Sequence, residues 1–204
     1  MDTKDTYKTI VSATEEVVYK DKNSKFFGYA FPVENEEIIK YYIDLLKKQH
    51  HSARHWCYAY QLGTEKIIYR ANDDGEPNNS AGQPIYGQIQ SNELTNVLIV
   101  VVRYFGGVKL GVGGLISAYK TAAQMAIENA NIIEKTIDLD YLITFDYKNM
   151  NKVMRIIKEK QLNIINQKLE LDCKIQISVR KKDSKSIFFL FDQLYQIDIK
   201  DFID

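Results

Sequence analysis

Two stretches of the sequence concentrate the residue types that do chemistry. In Asn72-Asp73-Asp74-Gly75-Glu76-Pro77-Asn78-Asn79-Ser80-Ala81-Gly82, three carboxylates fall within four positions, beside a glycine, a proline and the hydroxyl of Ser80. Crowded carboxylates suit a divalent cation or a perturbed pKa, and Asp74 and Glu76 are candidate acid-base groups. The spacing is not that of an EF-hand loop, and a solvated acidic turn has the same composition. The second stretch runs from Arg103 to Leu115 and holds Gly106, Gly107, Lys109, Gly111, Gly113 and Gly114. Glycines let backbone amides approach a ligand, and a helix start offers unpaired N–H groups with partial positive charge, so Arg103, Lys109 and these glycines form a candidate anion or nucleic-acid site. Neither the Walker A spacing nor the third glycine of a dinucleotide fingerprint is present. A sharp strand-to-helix turn accounts for the same glycines. If the two loops meet, Asp73, Asp74 or Glu76 pairs with Lys109 or Arg103, an arrangement favoured here over a bound metal. No cofactor is expected.

His50, His51 and His55 precede Trp56-Cys57-Tyr58. Imidazole titrates near neutrality and serves acid-base chemistry. His50 and His51 fall at the end of a predicted helix, where imidazolium is favourable; His55, at a strand start, is the candidate. No Gly-x-Ser-x-Gly elbow accompanies them, and Cys57 reads as a core residue.

These loops need elements to hold them. Glu15 to Tyr19 and Phe26 to Phe31 read as a hairpin across a polar turn. Glu34 to Gln49 reads as an amphipathic helix capped by Asn35, with Ile38, Tyr42, Leu45 and Leu46 at helical spacing. Two strands follow, His55 to Gln61 and Lys66 to Arg70, then a short helix near Gln83-Pro84. Val97 to Val102 is apolar at every position, which predicts a central strand covered on both faces. After the glycine loop, Leu115, Ala118, Tyr119, Ala122, Met125 and Ala126 mark a helix. All ten glycines lie between Gly28 and Gly114. From Thr136 the pattern becomes strand, helix, two strands and helix (137–145, 149–161, 164–171, 174–179, 184–195), which predicts a small ferredoxin-like unit whose last strand is short or missing. Two domains are therefore expected, 1–135 and 136–204, in an α+β protein. In the second, Lys148, Lys152 and Arg155 share a helical face and Arg180-Lys181-Lys182 adds a basic point, as an RNA contact or an ordinary solvated face would.

The chain's 204 residues are 45% hydrophobic and 26% charged, with 27 basic and 27 acidic side chains. This balance argues against duplex nucleic-acid binding through global charge. No apolar run is long enough for a membrane span, and Met1 to Lys8 reads as neither secretory signal nor transit peptide, so a cytoplasmic protein is expected. Two separate cysteines suggest neither a disulfide framework nor structural zinc.

Ala53-x-His55-x-Cys57-x-Ala59-Tyr60, Asp73-Asp74-Gly75-Glu76-Pro77, Ala81-Gly82-x-Pro84-Ile85 and the run Val101 to Leu115 together resemble the IMPACT family, in particular its bacterial YigZ-like branch. Where many members read Ser-Gly-Thr, this chain has Asn78-Asn79-Ser80. The resemblance implies an N-terminal α/β domain similar to the second domain of small-subunit ribosomal protein five and to elongation factor G domain IV. It implies a C-terminal domain similar to elongation factor G domain V. Eukaryotic members regulate translation, so it implies a non-enzymatic regulatory module that binds RNA, the ribosome or a translation-associated protein. The alternative is an enzyme that acts on a phosphorylated small molecule through the two loops, with His55, Asp74 or Glu76 as its working groups.

Overall fold

The computed structural model describes residues 5–202. The N-terminal stretch read for targeting begins in residues 1–4, outside the described residues. The chain forms two compact units, Tyr7–Lys135 and a second built on Thr136–Asp204. The class is α+β. Among the described residues, no helix is long and apolar enough to cross a membrane.

The first unit holds a five-stranded antiparallel sheet in the order β2-β3-β6-β4-β5: β2 (Val17–Asp21), β3 (Ser24–Pro32), β4 (His55–Leu62), β5 (Ile68–Asn72) and β6 (Val97–Tyr104). β6 is central, and every residue from Val97 to Arg103 is buried because helices cover both faces. The β2–β3 hairpin turns on Lys22 and Asn23, both with positive φ, the geometry of the tight two-residue turn that follows strand twist.

Strand alternation divides the core. Phe26, Ala30, Cys57, Ala59, Val97, Ile99 and Val101 face α2 (Gly82–Ser91) and α3 (Gly111–Glu128). Tyr29, Phe31, Tyr60, Leu98, Val100 and Val102 face α1 (Glu36–Gln49). Asn35 caps α1 by accepting the Ile38 N–H at 2.9 Å, and Glu36 and Glu37 complement the helix start. Leu45, expected on the buried stripe, is exposed; Ile39 and Leu46 form the buried contact. α3 begins at Gly111, earlier than expected, so Gly111, Gly113 and Gly114 form its first turn. Two short strands went unforeseen, β1 (Thr6–Ile10) and β7 (Ile132–Thr136), which pair as a separate two-stranded sheet. β7 is mostly exposed and carries no apolar alternation.

The second unit follows the order β8 (Asp138–Asp146), a 3-10 turn leading into α4 (Met150–Glu159), β9 (Asn163–Lys168), β10 (Asp172–Arg180), α5 (Lys181–Asp192) and β11 (Ile197–Asp201). Its antiparallel sheet runs β11-β8-β10-β9. The last strand, expected to be short or missing, is present with five residues, and Ile197 and Ile199 close the core. Asp5 belongs to this unit: its carbonyl accepts the Ile137 N–H at 2.7 Å and its carboxylate meets Arg180 at 2.6 Å.

Candidate functional site

The two loops come together where β4, β6 and α3 meet. Asp73 turns inward: Oδ1 accepts the N–H groups of Ala81 and Gly82 at 2.9 and 2.8 Å, and Oδ2 accepts that of Asn79 at 2.8 Å. Ala81, which precedes α2, has no capping side chain, and Asp73 does that work from across the loop. Asp74 Oδ2 accepts the Trp56 N–H at 2.7 Å, tying the loop to β4. Ser80 Oγ donates to the Pro77 carbonyl. Asn79 has φ of 60°, a left-handed conformation that Asn tolerates.

Glu76 is 8% exposed and Arg103 5%. Arg103 Nη1 donates to Glu76 Oε1 at 2.7 Å, and the Tyr119 hydroxyl donates to the same oxygen at 2.8 Å. The guanidinium lies over the rings of both Phe26 and Phe105, 5.5 and 5.4 Å from their centroids. Its Nη2 reaches Ser24 Oγ at 3.5 Å, which also accepts the Gly106 N–H at 3.2 Å. Burial pushes the Tyr119 hydroxyl and the Cys57 thiol far up, so both stay protonated as donors. Cys57 Sγ lies 3.0 Å from the Asp73 carbonyl and 3.3 Å from the Tyr119 oxygen.

His55 is partly exposed at the margin of this cluster. Its Nδ1 donates to the Asp74 carbonyl at 2.9 Å, leaving Nε2 4.0 Å from Glu76 Oε1. His50 differs from the sequence expectation of a favoured imidazolium at a helix end. It is buried between Tyr29 and Tyr104, and burial lowers its pKa despite nearby Glu16.

The glycine loop faces outward. Gly106 packs against the β2–β3 turn, where a Cβ would lie 2.0 Å from the Asn23 carbonyl carbon, so no side chain fits. At Gly107, Gly111 and Gly113 that space is open, and Gly107 has φ of +84°. Lys109 is exposed, with no ion pair among the described residues. Around it Phe105, Val108, Val112 and Ile116 are 39–53% exposed. The two loops thus meet through Arg103 and Glu76, while Lys109 stays outside that contact.

Tyr119, Ser24 and Cys57 complete the network without having been singled out for it. Tyr119 carried a legible signal as the one hydroxyl in a stripe of small apolar residues facing a sheet, since a buried phenol needs a partner. In the second unit, Lys148 pairs with Asp146 at 3.0 Å and Arg155 with Glu159 at 3.7 Å, while Lys152 is exposed.

Residues 22–127 match the family model described as the Impact N-terminal domain. The chain is 35% identical over 155 residues to IMPACT family member YvyE of Bacillus subtilis, covering 76% of this chain and 71% of that protein. It is 30% identical over 159 residues to IMPACT family member YigZ of Escherichia coli, covering 77% and 78% of the two chains. A crystal structure described as that of a hypothetical protein is similar with a TM-score of 0.73 and 22% identity, over 99% of this chain and 100% of that one, which shows a shared fold. The motif residues that build the inward-facing cluster lie inside the matched segment, and the chain belongs to the IMPACT family, in its bacterial YigZ-like branch.

Proposed function

We propose that this chain is a translation-associated regulatory module that works by binding RNA, the ribosome or a translation-associated protein, rather than by catalysis. The observation that carries the reading is the outward surface of the glycine loop. Lys109 stands among the exposed Phe105, Val108, Val112 and Ile116, beside the first turn of α3, whose leading N–H groups have no side-chain cap. A cation and free amides within an apolar patch suit a macromolecular surface that presents both phosphate or carboxylate groups and apolar area. The translational setting comes from the family resemblance. The proposed likeness of the two units to domains IV and V of elongation factor G belongs to the same reading, and the β11-β8-β10-β9 order of the second sheet supports its ferredoxin-like part.

The enzymatic alternative is less well supported. Glu76, one of its working groups, is held by Arg103 and Tyr119, and the Asp73 and Asp74 carboxylates are engaged by backbone amides. Ribosome pelleting across a salt series tests the proposal. The expected result is co-sedimentation at low salt that falls as salt rises. Nuclease treatment then separates an RNA contact from a protein contact. Absence of association at low salt would overturn the reading. Stabilisation of the protein by a phosphorylated metabolite, lost in Asp74→Asn, would replace it with the enzymatic one.

A further inference from the structure

On the opposite face of the same sheet, a groove of about 510 Å³ runs between α1 and β4–β5. Its floor is formed by Trp56, Tyr58 and Tyr60, alternate residues of β4 that point to one side. Four carboxylates, Glu36, Glu37, Asp44 and Asp74, line it against three cations, Lys40, Lys47 and Arg70. The Lys47 ammonium stands 5.9 Å from the centre of the Trp56 ring, so a cation of the chain itself already occupies the aromatic surface.

The wall opposite α1 is β5, which pairs with β4 on one side and ends the sheet on the other. Ile68 and Tyr69 on this edge, and Ile67 just before it, are 45–55% exposed. A sheet edge with unpaired backbone N–H and C=O groups is a template for another strand. On the far face of β5, Tyr69 stacks on Tyr86 of α2 with ring centres 4.4 Å apart.

We propose that β5 and this groove form a docking site for an extended peptide that alternates basic and apolar residues. The peptide adds to the β5 edge as a sixth strand. Side chains on one face lie beside Tyr69 and Tyr86, and those on the other enter the groove. An added strand stands two strand spacings, about 10 Å, from β4, so long side chains are the ones that reach its aromatic rings. Arg and Lys have that length, and their charge meets Glu37 and Asp44, which form no ion pair among the described residues. The incoming cation displaces Lys47 from Trp56. This site is independent of the glycine-loop reading.

Trp56 is the only tryptophan in the sequence, so its emission reports occupancy of the groove. The intact protein is titrated with a capped Val-Arg-Val-Arg-Val-Arg peptide and with versions carrying Gln or Glu in place of Arg. The Arg peptide is expected to shift Trp56 emission saturably. Glu37→Gln with Asp44→Asn weakens it about tenfold, the equivalent of about 1.4 kcal/mol. Lys47→Ala strengthens it by removing the internal competitor, and methylating alternate peptide amides weakens it by blocking the ladder. Equal binding of the Gln or Glu peptide, a weakened Lys47→Ala variant, or no saturation by millimolar peptide would each overturn the proposal. So would a saturable response to single-stranded RNA in place of the Arg peptide, or sedimentation showing that a second copy of the chain occupies the edge.

Discussion

The acidic loop and the glycine loop lie side by side and use their polar groups in opposite ways. Between Asn72 and Gly82, the side chains of Asp73, Asp74, Glu76 and Ser80 all turn toward the chain's own amides, carbonyls or Arg103. Between Gly106 and Gly114, Lys109 stays in solvent, apolar side chains are exposed, and three glycines leave the backbone bare. Residue types alone suggest two halves of one reactive site. The geometry instead shows an internally bonded scaffold beside a solvent-facing loop. Substitutions of the polar side chains in the first loop should therefore damage stability, and those of the exposed Val108 and Lys109 in the second should leave it intact.

The largest effect is expected at Glu76. Glu76→Ala leaves the Arg103 charge buried without its partner and removes the acceptor of the Tyr119 hydroxyl, a loss of about 3–5 kcal/mol in urea denaturation. A loss within the surface range of about 0.5 kcal/mol would mean that the cluster is not structural. Asp73→Ala comes next. It removes acceptors from three backbone amides, including the start of α2, and should cost about 2 kcal/mol, the upper end for a helix cap. Retention of wild-type stability would show that water replaces the carboxylate.

His50 gives a smaller, pH-dependent contrast within the same unit. Its folded pKa lies below the ordinary value, so the unfolded chain takes up the proton first. Stability should fall as pH drops below about 6.5 and level off once the folded pKa is passed. In His50→Gln that component should vanish, read as the difference between the two proteins' stability-against-pH curves. A stability gain for wild type on acidification, relative to the variant, would mean that the helix terminus outweighs burial after all.

Much of the fold was legible because its signals are local. The unbroken apolar run of β6, the Asn35 cap and the small-residue stripe of α3 each follow from burial or backbone geometry within a few residues. That the two loops meet stayed conditional at the level of sequence, because their contact through Arg103 and Glu76 is made by the tertiary packing of β4 and β6. The direction in which Arg103 points was harder to read, because it depends on strand parity: Arg103 shares a face with Val97, Ile99 and Val101, beneath α3, and there it needs a buried acid. Ser24 and Tyr119 come from distant parts of the chain, and no local pattern links them to Glu76. The aromatic face of β4 shows the reverse case, since its strand was expected while the groove beside Trp56, Tyr58 and Tyr60 depends on where α1 crosses the sheet.

The central claim is that the glycine-loop face binds while the acidic cluster supports it. The most direct test is ribosome co-sedimentation at low salt by wild type and by Val108→Ser with Lys109→Ala, alongside their urea denaturation curves. The predicted result is a loss of association of about tenfold, with stability changed by no more than about 0.5 kcal/mol. Undiminished association by the folded double variant would contradict the claim.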